Sequence, residues 1–179
     1  MNKKSKPVYS AIVAVGKNNE IGIGNKLPWT IKSELKYFKD VTLGKVLIVG
    51  RTTYMSLPPL KDRTLIVVSA STPYGYVDVK ENVYWVQDLA QAKTLAHALT
   101  SDEIIFIGGS SIYTQVAGII SKLYLTVIDQ TYPDADAYFD MLLFKNKFIR
   151  KALLESVTEV SATDTEPKYT KLVYTKRTE

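Results

Sequence analysis

The sequence predicts an α/β fold in which a mostly parallel sheet carries helices on both faces. Short apolar runs rich in β-branched residues recur along the first two thirds of the chain, and their length is typical of buried strands. Plausible helical segments lie between them, and this alternation is typical of parallel sheets. The pattern then changes, and two late apolar runs predict an antiparallel hairpin at the C-terminal edge.

Each predicted strand is an apolar run with few interruptions, and each early helix lies between two such runs. The strands of the alternating part are Val8–Val15, Val46–Val49, Leu65–Ser69, Val83–Val86, Glu103–Ile107 and Leu123–Ile128. The helices are Thr30–Asp40, Thr52–Leu57, Leu89–Leu99 and Ser110–Gly118, and the hairpin strands are Leu153–Val160 and Tyr169–Tyr174. No repeat or Pro/Gly/Ser-rich linker interrupts the series, so we expect a single domain over residues 1–179.

The composition excludes several classes of chemistry. The 179 residues include no cysteine and only one histidine, His97. A disulfide framework, a thiolate nucleophile and a cysteine-ligated metal are therefore excluded, and a multi-histidine metal site or a serine–histidine hydrolase is disfavoured. We predict no metal site.

The charge balance favours anionic ligands. The chain has 23 Lys+Arg against 18 Asp+Glu, a formal charge of +5, which leaves a phosphorylated cofactor, a carboxylate-bearing substrate and nucleic acid open. The basic start before Val8 faintly resembles a secretory signal, but cleavage after it would delete a predicted core strand. No apolar run approaches the length of a membrane span, so we expect a cytoplasmic protein.

Two strand-to-helix junctions indicate a phosphate-bearing ligand. One predicted strand runs into Gly108-Gly109 and Ser110-Ser111, and another runs into Gly50-Arg51 and Thr52-Thr53. Glycine lets the backbone approach a ligand closely, and the bare amides at a helix start favour phosphate. Tight capped turns are the alternative for either junction alone, but the pair favours a dinucleotide. Arg51 would favour NADP over NAD, unless it is a solvated surface arginine.

Glu34 is a candidate functional acid because of its place on a predicted helix. If Thr30 caps this helix, Ile31, Leu35 and Phe38 share an apolar face, and Glu34 falls on the same side. A carboxyl group in such surroundings should have a raised pKa. Periodicity alone leaves a boundary glutamate that reaches solvent or a lysine as the alternative.

Several segments, in order and over nearly the whole chain, together resemble the dihydrofolate reductase family. They are "AIVAVGKNNEIGIGNKLPWTIKSELKYFK", "VLIVGRTTYMSL", "PLKDRTLIVVS", "IIFIGGSSIY", "KLYLTVID" and "DADAYF". The resemblance implies a mainly parallel eight-stranded sheet. It also implies NADPH-dependent reduction of 7,8-dihydrofolate to 5,6,7,8-tetrahydrofolate, which supplies one-carbon and thymidylate metabolism.

The resemblance also implies roles for individual residues. Glu34 matches the acid that holds the pterin 2-amino group and N3, Thr126 the threonine that supports it, and Trp29 the tryptophan beside the site. Leu27 lies in the segment 16–29, which matches the mobile loop that closes over nicotinamide. The residues implied to line the substrate pocket are Ile12, Val13, Glu34, Leu35, Phe38, Leu57, Leu60, Arg63, Ile107, Tyr113 and Thr126, with Arg63 receiving the substrate α-carboxylate.

The family resemblance also implies which residues bind the cofactor. The implied NADPH-binding residues are Ala14, Ile21, Gly22, Gly50, Arg51, Thr52, Thr53, Ser69, Gly108, Gly109, Ser110, Ser111 and Ile112. In the family, the two glycines of the second turn are joined by a cis peptide. The implied ligands are dihydrofolate, NADPH and antifolate inhibitors, and we expect a monomer with no obligate protein, nucleic-acid or membrane partner.

Two departures from the family pattern concern the substrate side. Pro58-Pro59 replaces a longer glycine-arginine-proline link, and Lys61-Asp62 replaces the usual proline-glycine before Arg63. An acid therefore stands beside the predicted substrate arginine and could compete for it.

Three other functions are weighed against this one. A reductase of the same fold acting on another heterocycle predicts no acid at Glu34, and a nucleic-acid module predicts a stacking platform that the sequence lacks. A catalytically idle protein on the same scaffold stays open.

Overall fold

The computed structural model describes residues 5–73, 77–78, 82–100 and 102–178. Eleven strands occur in this part of the chain: β1 (Val8–Val15), β2 (Glu20–Gly22), β3 (Val46–Gly50), β4 (Thr64–Val68), β5 (Val77–Asp78), β6 (Val83–Val86), β7 (Glu103–Phe106), β8 (Lys122–Ile128), β9 (Ala137–Tyr138), β10 (Ala152–Val160) and β11 (Tyr169–Lys176). The α-helices are α1 (Lys32–Thr42), α2 (Arg51–Ser56), α3 (Leu89–Leu99), α4 (Ser110–Val116) and α5 (Met141–Lys147).

The main sheet has the order β10-β11-β8-β1-β7-β3-β4-β6-β5. Strands β8, β1, β7, β3, β4 and β6 pair in parallel with their neighbours in this series. Strands β10 and β11 form an antiparallel hairpin, and β11 pairs antiparallel with β8. The predicted α/β fold with a mostly parallel eight-stranded sheet and a C-terminal hairpin is confirmed. The two-residue β5 adds a further antiparallel pairing outside β6.

The sheet separates two apolar layers. Side chains of α3, α4 and α5, such as Ala96, Val116 and Phe144, pack on one face around Phe106. On the other face, Phe38 of α1 and Tyr54 of α2 pack around Leu47 and the other buried residues of that cluster. Because both faces are covered, the parallel strands are apolar in nearly every position, which is why they could be recognised as unbroken runs. No helix in the described ranges is long and apolar enough to cross a membrane.

The start of α1 differs from the prediction. The predicted cap Thr30 lies outside the helix, and Ile31 occupies the N-cap position in extended conformation with no side-chain cap. The free amide of Lys32 instead donates to Glu166 Oε1 at 3.0 Å. Glu166, from the loop between β10 and β11, thus caps α1 although it is distant in sequence. Its negative charge also interacts favourably with the positive end of the helix dipole.

Besides β5, the short elements β2, β9 and α5 were not predicted, because they carry little periodicity. Strands β2 and β9 pair antiparallel beside the main sheet, and each has only two or three residues. Helix α5 is preceded by its N-cap Asp140, whose side chain accepts from the Leu143 amide at 2.9 Å. Other predicted boundaries shift by one or two residues, with α2 beginning at Arg51 and α4 ending at Val116.

Substitution of the distant cap tests its contribution to stability. We expect Glu166→Ala to lower the free energy of unfolding by about 1 kcal/mol, because the Lys32 amide loses a charged acceptor. Urea denaturation followed by circular dichroism measures the change. Glu159→Ala, at an exposed position of the same hairpin, should leave stability within about 0.5 kcal/mol of the native value. Equal effects of the two substitutions would contradict the assignment.

Candidate active site

A cleft of about 1210 Å³ opens at the carboxyl ends of the central strands. Strands β1, β7 and β3 are parallel neighbours, so their last residues and the segments that follow them meet at one edge of the sheet. This is the edge at which open parallel sheets bind ligands.

The cleft brings together nearly all of the site residues predicted from the sequence. Those that line it are Ile12, Val13, Ala14, Ile21, Gly22, Leu27, Trp29, Glu34, Leu35, Phe38, Gly50, Arg51, Thr52, Thr53, Leu57, Leu60, Arg63, Ile107, Gly109, Ser110, Ser111, Ile112 and Tyr113. They come from six separate stretches of the chain, so their convergence on one concave surface depends on the whole sheet.

Three predicted residues lie outside the lining. Gly108 is buried, and its neighbour Gly109 lines the cleft instead. Ser69 follows β4, and its hydroxyl lies 3.1 Å from that of Ser71. Thr126 is buried in β8, where it stands opposite Ala14 of β1 and Lys171 of β11. Its support of Glu34 and the adenosine contact of Ser69 stay predictions.

Glu34 is a buried acid at the wall of the cleft. It occupies the first turn of α1 and is only 5% exposed, so of the two interpretations that helical spacing left open, the structure supports the buried acid over the boundary glutamate. Burial raises the pKa of its carboxyl group to about 7, and the positive charge of Lys171 partly opposes this rise. Near neutral pH both the protonated and the ionised form of the group are therefore populated. This is what a group that takes up and releases protons requires.

Two tyrosines belong to the same electrostatic environment. The pKa values of Tyr37 and Tyr113 are raised by burial first and by the negative charge of Glu34 second. The Tyr113 hydroxyl donates to the Ile12 carbonyl at 2.6 Å. Both phenols stay neutral, so Glu34 is the member of this group that titrates near neutral pH.

Arg63 presents a guanidinium group that is held in place. It is buried, its Nε donates to the Lys61 carbonyl at 2.9 Å, and one terminal nitrogen donates to the Thr42 hydroxyl at 3.2 Å. Burial lowers the Arg63 pKa, and the neighbouring Asp62 charge opposes that change. A guanidinium group has five N–H donors, and these two bonds use only two of them. The side chain therefore retains donors for a carboxylate ligand.

The two glycine junctions adjoin each other. The Gly50 amide donates to the Gly108 carbonyl at 2.8 Å, and the Gly108–Gly109 peptide bond is cis, as the resemblance implies. A Cβ on Gly109 would lie 2.8 Å from Thr53 Oγ1, and Gly108 has a positive φ of 107°. A side chain at either position would clash or strain the backbone, and the cradle between the junctions is left open for a close-fitting group.

Polar groups at these junctions suit a phosphorylated ligand. Arg51 and Thr52 at the start of α2, and Ser110 and Ser111 at the start of α4, are exposed and line the cleft. Hydroxyl groups, backbone amides and a guanidinium group are donors to phosphate oxygens. The residues present therefore fit a dinucleotide that bears phosphate groups.

The segment 16–29 forms one side of the cleft. It contains β2, and the Gly24 amide donates to Asp136 Oδ2 at 2.9 Å while the Asp136 amide donates to the Gly22 carbonyl at 2.9 Å. At its tip, Leu27 is 48% exposed and lines the cleft. An apolar side chain held outward at the mouth of a cleft gains contacts when a ligand is present.

Trp29 ends this segment, lines the cleft and carries a buried polar atom. The side chain is 7% exposed and its ring lies 5.2 Å from that of Tyr132. Its Nε1 has no hydrogen-bond partner among the described residues. A buried indole N–H normally finds an acceptor, so a ligand or water in the cleft would satisfy it.

Some cleft residues were not anticipated. Asp136 lies in the segment "DADAYF", but its hydrogen bond with Gly24 was not predicted because the two residues are far apart in sequence. Lys39 and Gln115 line the cleft without a motif that marks them, whereas Pro58 lies at the substrate side, where the shortened link predicted a changed wall. Lys171 influences Glu34 from β11, and only the pairing of β11 with β8 could have revealed this.

Comparison with known protein families and curated sequences gives one consistent result. The family model described as dihydrofolate reductase matches residues 8–173. A dihydrofolate reductase from Buchnera aphidicola is 38% identical over 133 residues, which cover 73% of this chain and 77% of that protein. The dihydrofolate reductase of Haemophilus influenzae is 38% identical over 135 residues, covering 75% of this chain and 79% of that protein.

The solved structures agree with the fold. Dihydrofolate reductase from Enterococcus faecalis, determined in complex with NADP(H) and RAB-propyl, superimposes with a TM-score of 0.78. The match covers 97% of this chain and 99% of that chain at 23% sequence identity.

The buried acid should make stability depend on pH in an unusual direction. In the unfolded chain, Glu34 ionises above its ordinary pKa of 4.5, whereas in the folded protein it retains its proton up to about pH 7. The folded state binds more protons between these values, so this residue lowers stability as pH rises through that window, by about 3 kcal/mol at most.

Glu34→Gln removes this titration. In urea denaturation, we expect the variant to be more stable than the native protein near pH 8 and similarly stable near pH 4. Glu159→Gln, at an exposed position, serves as the control and should follow the native profile at both values. A Glu34→Gln variant whose stability difference is the same at both pH values would contradict the raised pKa.

Proposed function

The chain belongs to the dihydrofolate reductase family, and on that premise we propose that its cleft reduces 7,8-dihydrofolate to 5,6,7,8-tetrahydrofolate with NADPH. The observation that carries this proposal is the buried Glu34 carboxyl group with a pKa of about 7, set in a cleft that also holds Arg63 and the two glycine junctions. The product would feed one-carbon and thymidylate metabolism.

Glu34 recognises the heterocycle. A carboxylate offers two oxygens in one plane, which suits the pterin 2-amino group and the adjacent N3–H. Its placement in α1, with Leu35 and Phe38 also at the cleft, puts this polar contact within an apolar wall. Apolar walls exclude water and strengthen a hydrogen bond to a charged group.

Glu34 also supplies the means of moving a proton. Reduction of the pterin requires a proton at N5, and NADPH, when bound, supplies a hydride from nicotinamide C4 to pterin C6. A carboxyl group with a pKa of about 7 is half protonated at neutral pH, so it takes up a proton from solvent and holds it inside the site. Trp29, with its unsatisfied Nε1–H, would orient a water or a substrate atom beside it.

Arg63 anchors the other end of the substrate. Its guanidinium group is fixed by the Lys61 carbonyl and the Thr42 hydroxyl rather than by Asp62, so it remains available to a substrate α-carboxylate. Pro58 and Pro59 line the wall between the two ends and replace a longer link with a short rigid one. Antifolate inhibitors would occupy the same cleft.

The cofactor residues divide between the two junctions. Gly50, Thr53 and Gly109 form the close-fitting cradle, and Ser110 and Ser111 offer donors beside it. Arg51 would pair with the 2′-phosphate that distinguishes NADPH from NADH. We also propose, by analogy with the family, that the enzyme acts as a monomer in the cytoplasm.

The central test is a steady-state assay that follows the absorbance of NADPH and dihydrofolate. We expect turnover by the native protein that declines as pH rises through about 7, because the neutral form of Glu34 becomes scarce. Glu34→Gln should lower turnover at neutral pH by about 100-fold or more, with partial recovery at low pH where the substrate itself carries the proton.

Glu155→Gln, at an exposed position of β10, is the matched control and should retain native turnover. Native protein that folds but shows no turnover would favour a catalytically idle protein. Native turnover by Glu34→Gln at neutral pH would remove Glu34 from the mechanism.

A second test concerns the cofactor phosphate. We expect Arg51→Ala to raise the Michaelis constant for NADPH by about tenfold and to leave that for NADH nearly unchanged, because NADH has no 2′-phosphate for the guanidinium group to bind. Arg150→Ala, an exposed arginine that does not line the cleft, is the control and should leave both Michaelis constants unchanged. Equal effects of Arg51→Ala on both cofactors would contradict the assignment.

A further inference from the structure

A lysine outside the cleft contacts the helix that carries the buried acid. Lys171 lies in β11, half-buried, and pairs in register with Thr126 of β8. Its ammonium nitrogen lies 4.4 Å from the centre of the Tyr37 ring. It is absent from the residues that line the cleft, so any influence it has on the reaction passes through another side chain.

Strand β11 holds the helix that carries Glu34. The hydroxyl groups of Tyr169 and Ser33 lie 2.7 Å apart. Tyr169 and Lys171 are two positions apart on a strand, so they point to the same face, and Ser33 and Tyr37 are four positions apart on α1, so they do as well. Two successive contacts thus bracket Glu34, which follows Ser33 in the same turn.

The charged and titratable groups around Glu34 come from three elements. Tyr37 belongs to α1, Tyr113 to α4 and Lys171 to β11. Tyr124 of β8 faces Tyr37 in turn. The tyrosines are neutral near pH 7, so Lys171 supplies the positive charge in this group of described residues.

The ring of Tyr37 fixes the place of that charge. A cation over an aromatic face is attracted to the ring, and the long lysine stem packs along the same surface. The ammonium group is therefore held over Tyr37, which follows Glu34 by three positions in α1 and so neighbours it on the helix surface. A charge held in a partly buried position is screened little by salt and acts more strongly than a surface charge.

We propose that Lys171 is a positioning residue for the reduction: its ammonium group, fixed over Tyr37 outside the cleft, stabilises the charged form of Glu34 and so sets the pH range of activity. This inference rests on the proposed function, because it assigns the lysine a part in that reaction. Burial alone would leave the acid protonated further into the alkaline range, where the carboxylate that recognises the heterocycle would be scarce.

Removal of the charge should move the pH profile without removing turnover. Lys171→Met keeps an unbranched apolar stem over Tyr37 and deletes the ammonium group. We expect the alkaline decline of kcat to shift upward by about one pH unit. The ¹³C resonance of the Glu34 carboxyl carbon, assigned with Glu34→Gln and titrated without substrate, should show the same upward shift.

Three further variants make the test specific. Two midpoints are compared: the pH at which kcat has fallen by half and the pH at which the ¹³C resonance of the Glu34 carboxyl carbon is half titrated. Lys171→Arg preserves the charge and should keep both midpoints at their native values. Lys171→Gln should reproduce the upward shift and serves as a second variant if Lys171→Met folds poorly. Lys176→Met removes an exposed lysine from the same strand and should leave both midpoints unchanged. A purely structural role would lower stability without moving either midpoint.

The two readouts separate failure of this inference from failure of the proposed function. Native midpoints in both Lys171→Met and Lys171→Gln, by NMR and by kcat, would overturn the role of Lys171 while leaving the reductase intact. A shifted NMR midpoint in a protein that shows no turnover would overturn the reductase assignment, and with it the assignment of Lys171 to that reaction. Shifted midpoints by both measures support both.

Discussion

The desolvation of the Glu34 carboxyl group is the constraint that organises this molecule. Water is excluded from it by α1, by the apolar wall of the cleft and by the sheet behind, and the result is an acid whose pKa lies near 7. Such a group destabilises the fold at neutral pH, so packing elsewhere must hold it in place. Two covered faces of a parallel sheet provide that packing.

The two glycine junctions are positioned by the same sheet. Parallel neighbours end at the same edge, so the turn after β3 and the turn after β7 meet there, joined by the bond from the Gly50 amide to the Gly108 carbonyl. The acid and the junctions lie along one continuous cleft. A single topological feature therefore brings together a proton-exchanging group and a cradle for a phosphorylated ligand.

Local patterns were sufficient for most of the fold, whereas much of the candidate site was predicted only with the family resemblance, and contacts between distant segments were not predictable. Spacing to Ile31 and Phe38 marked Glu34 as a candidate without deciding its burial, whereas Leu35, expected on the same apolar face, is 45% exposed because it lies at the cleft wall. The cap on α1 comes from Glu166, and no local signal marks it. Strands β2 and β9 are too short for periodicity to show.

The hairpin contacts on α1 join residues that are 134 and 136 positions apart. On the ribosome, the helix therefore emerges long before the strand that restrains it, and β11 must insert between β8 and β10 to complete the sheet. A nascent chain that has released α1 but not β11 lacks both the distant cap and the lysine beside the acid. The environment of Glu34 is thus completed late in synthesis, when β11 pairs with a sheet whose parallel strands have already been made.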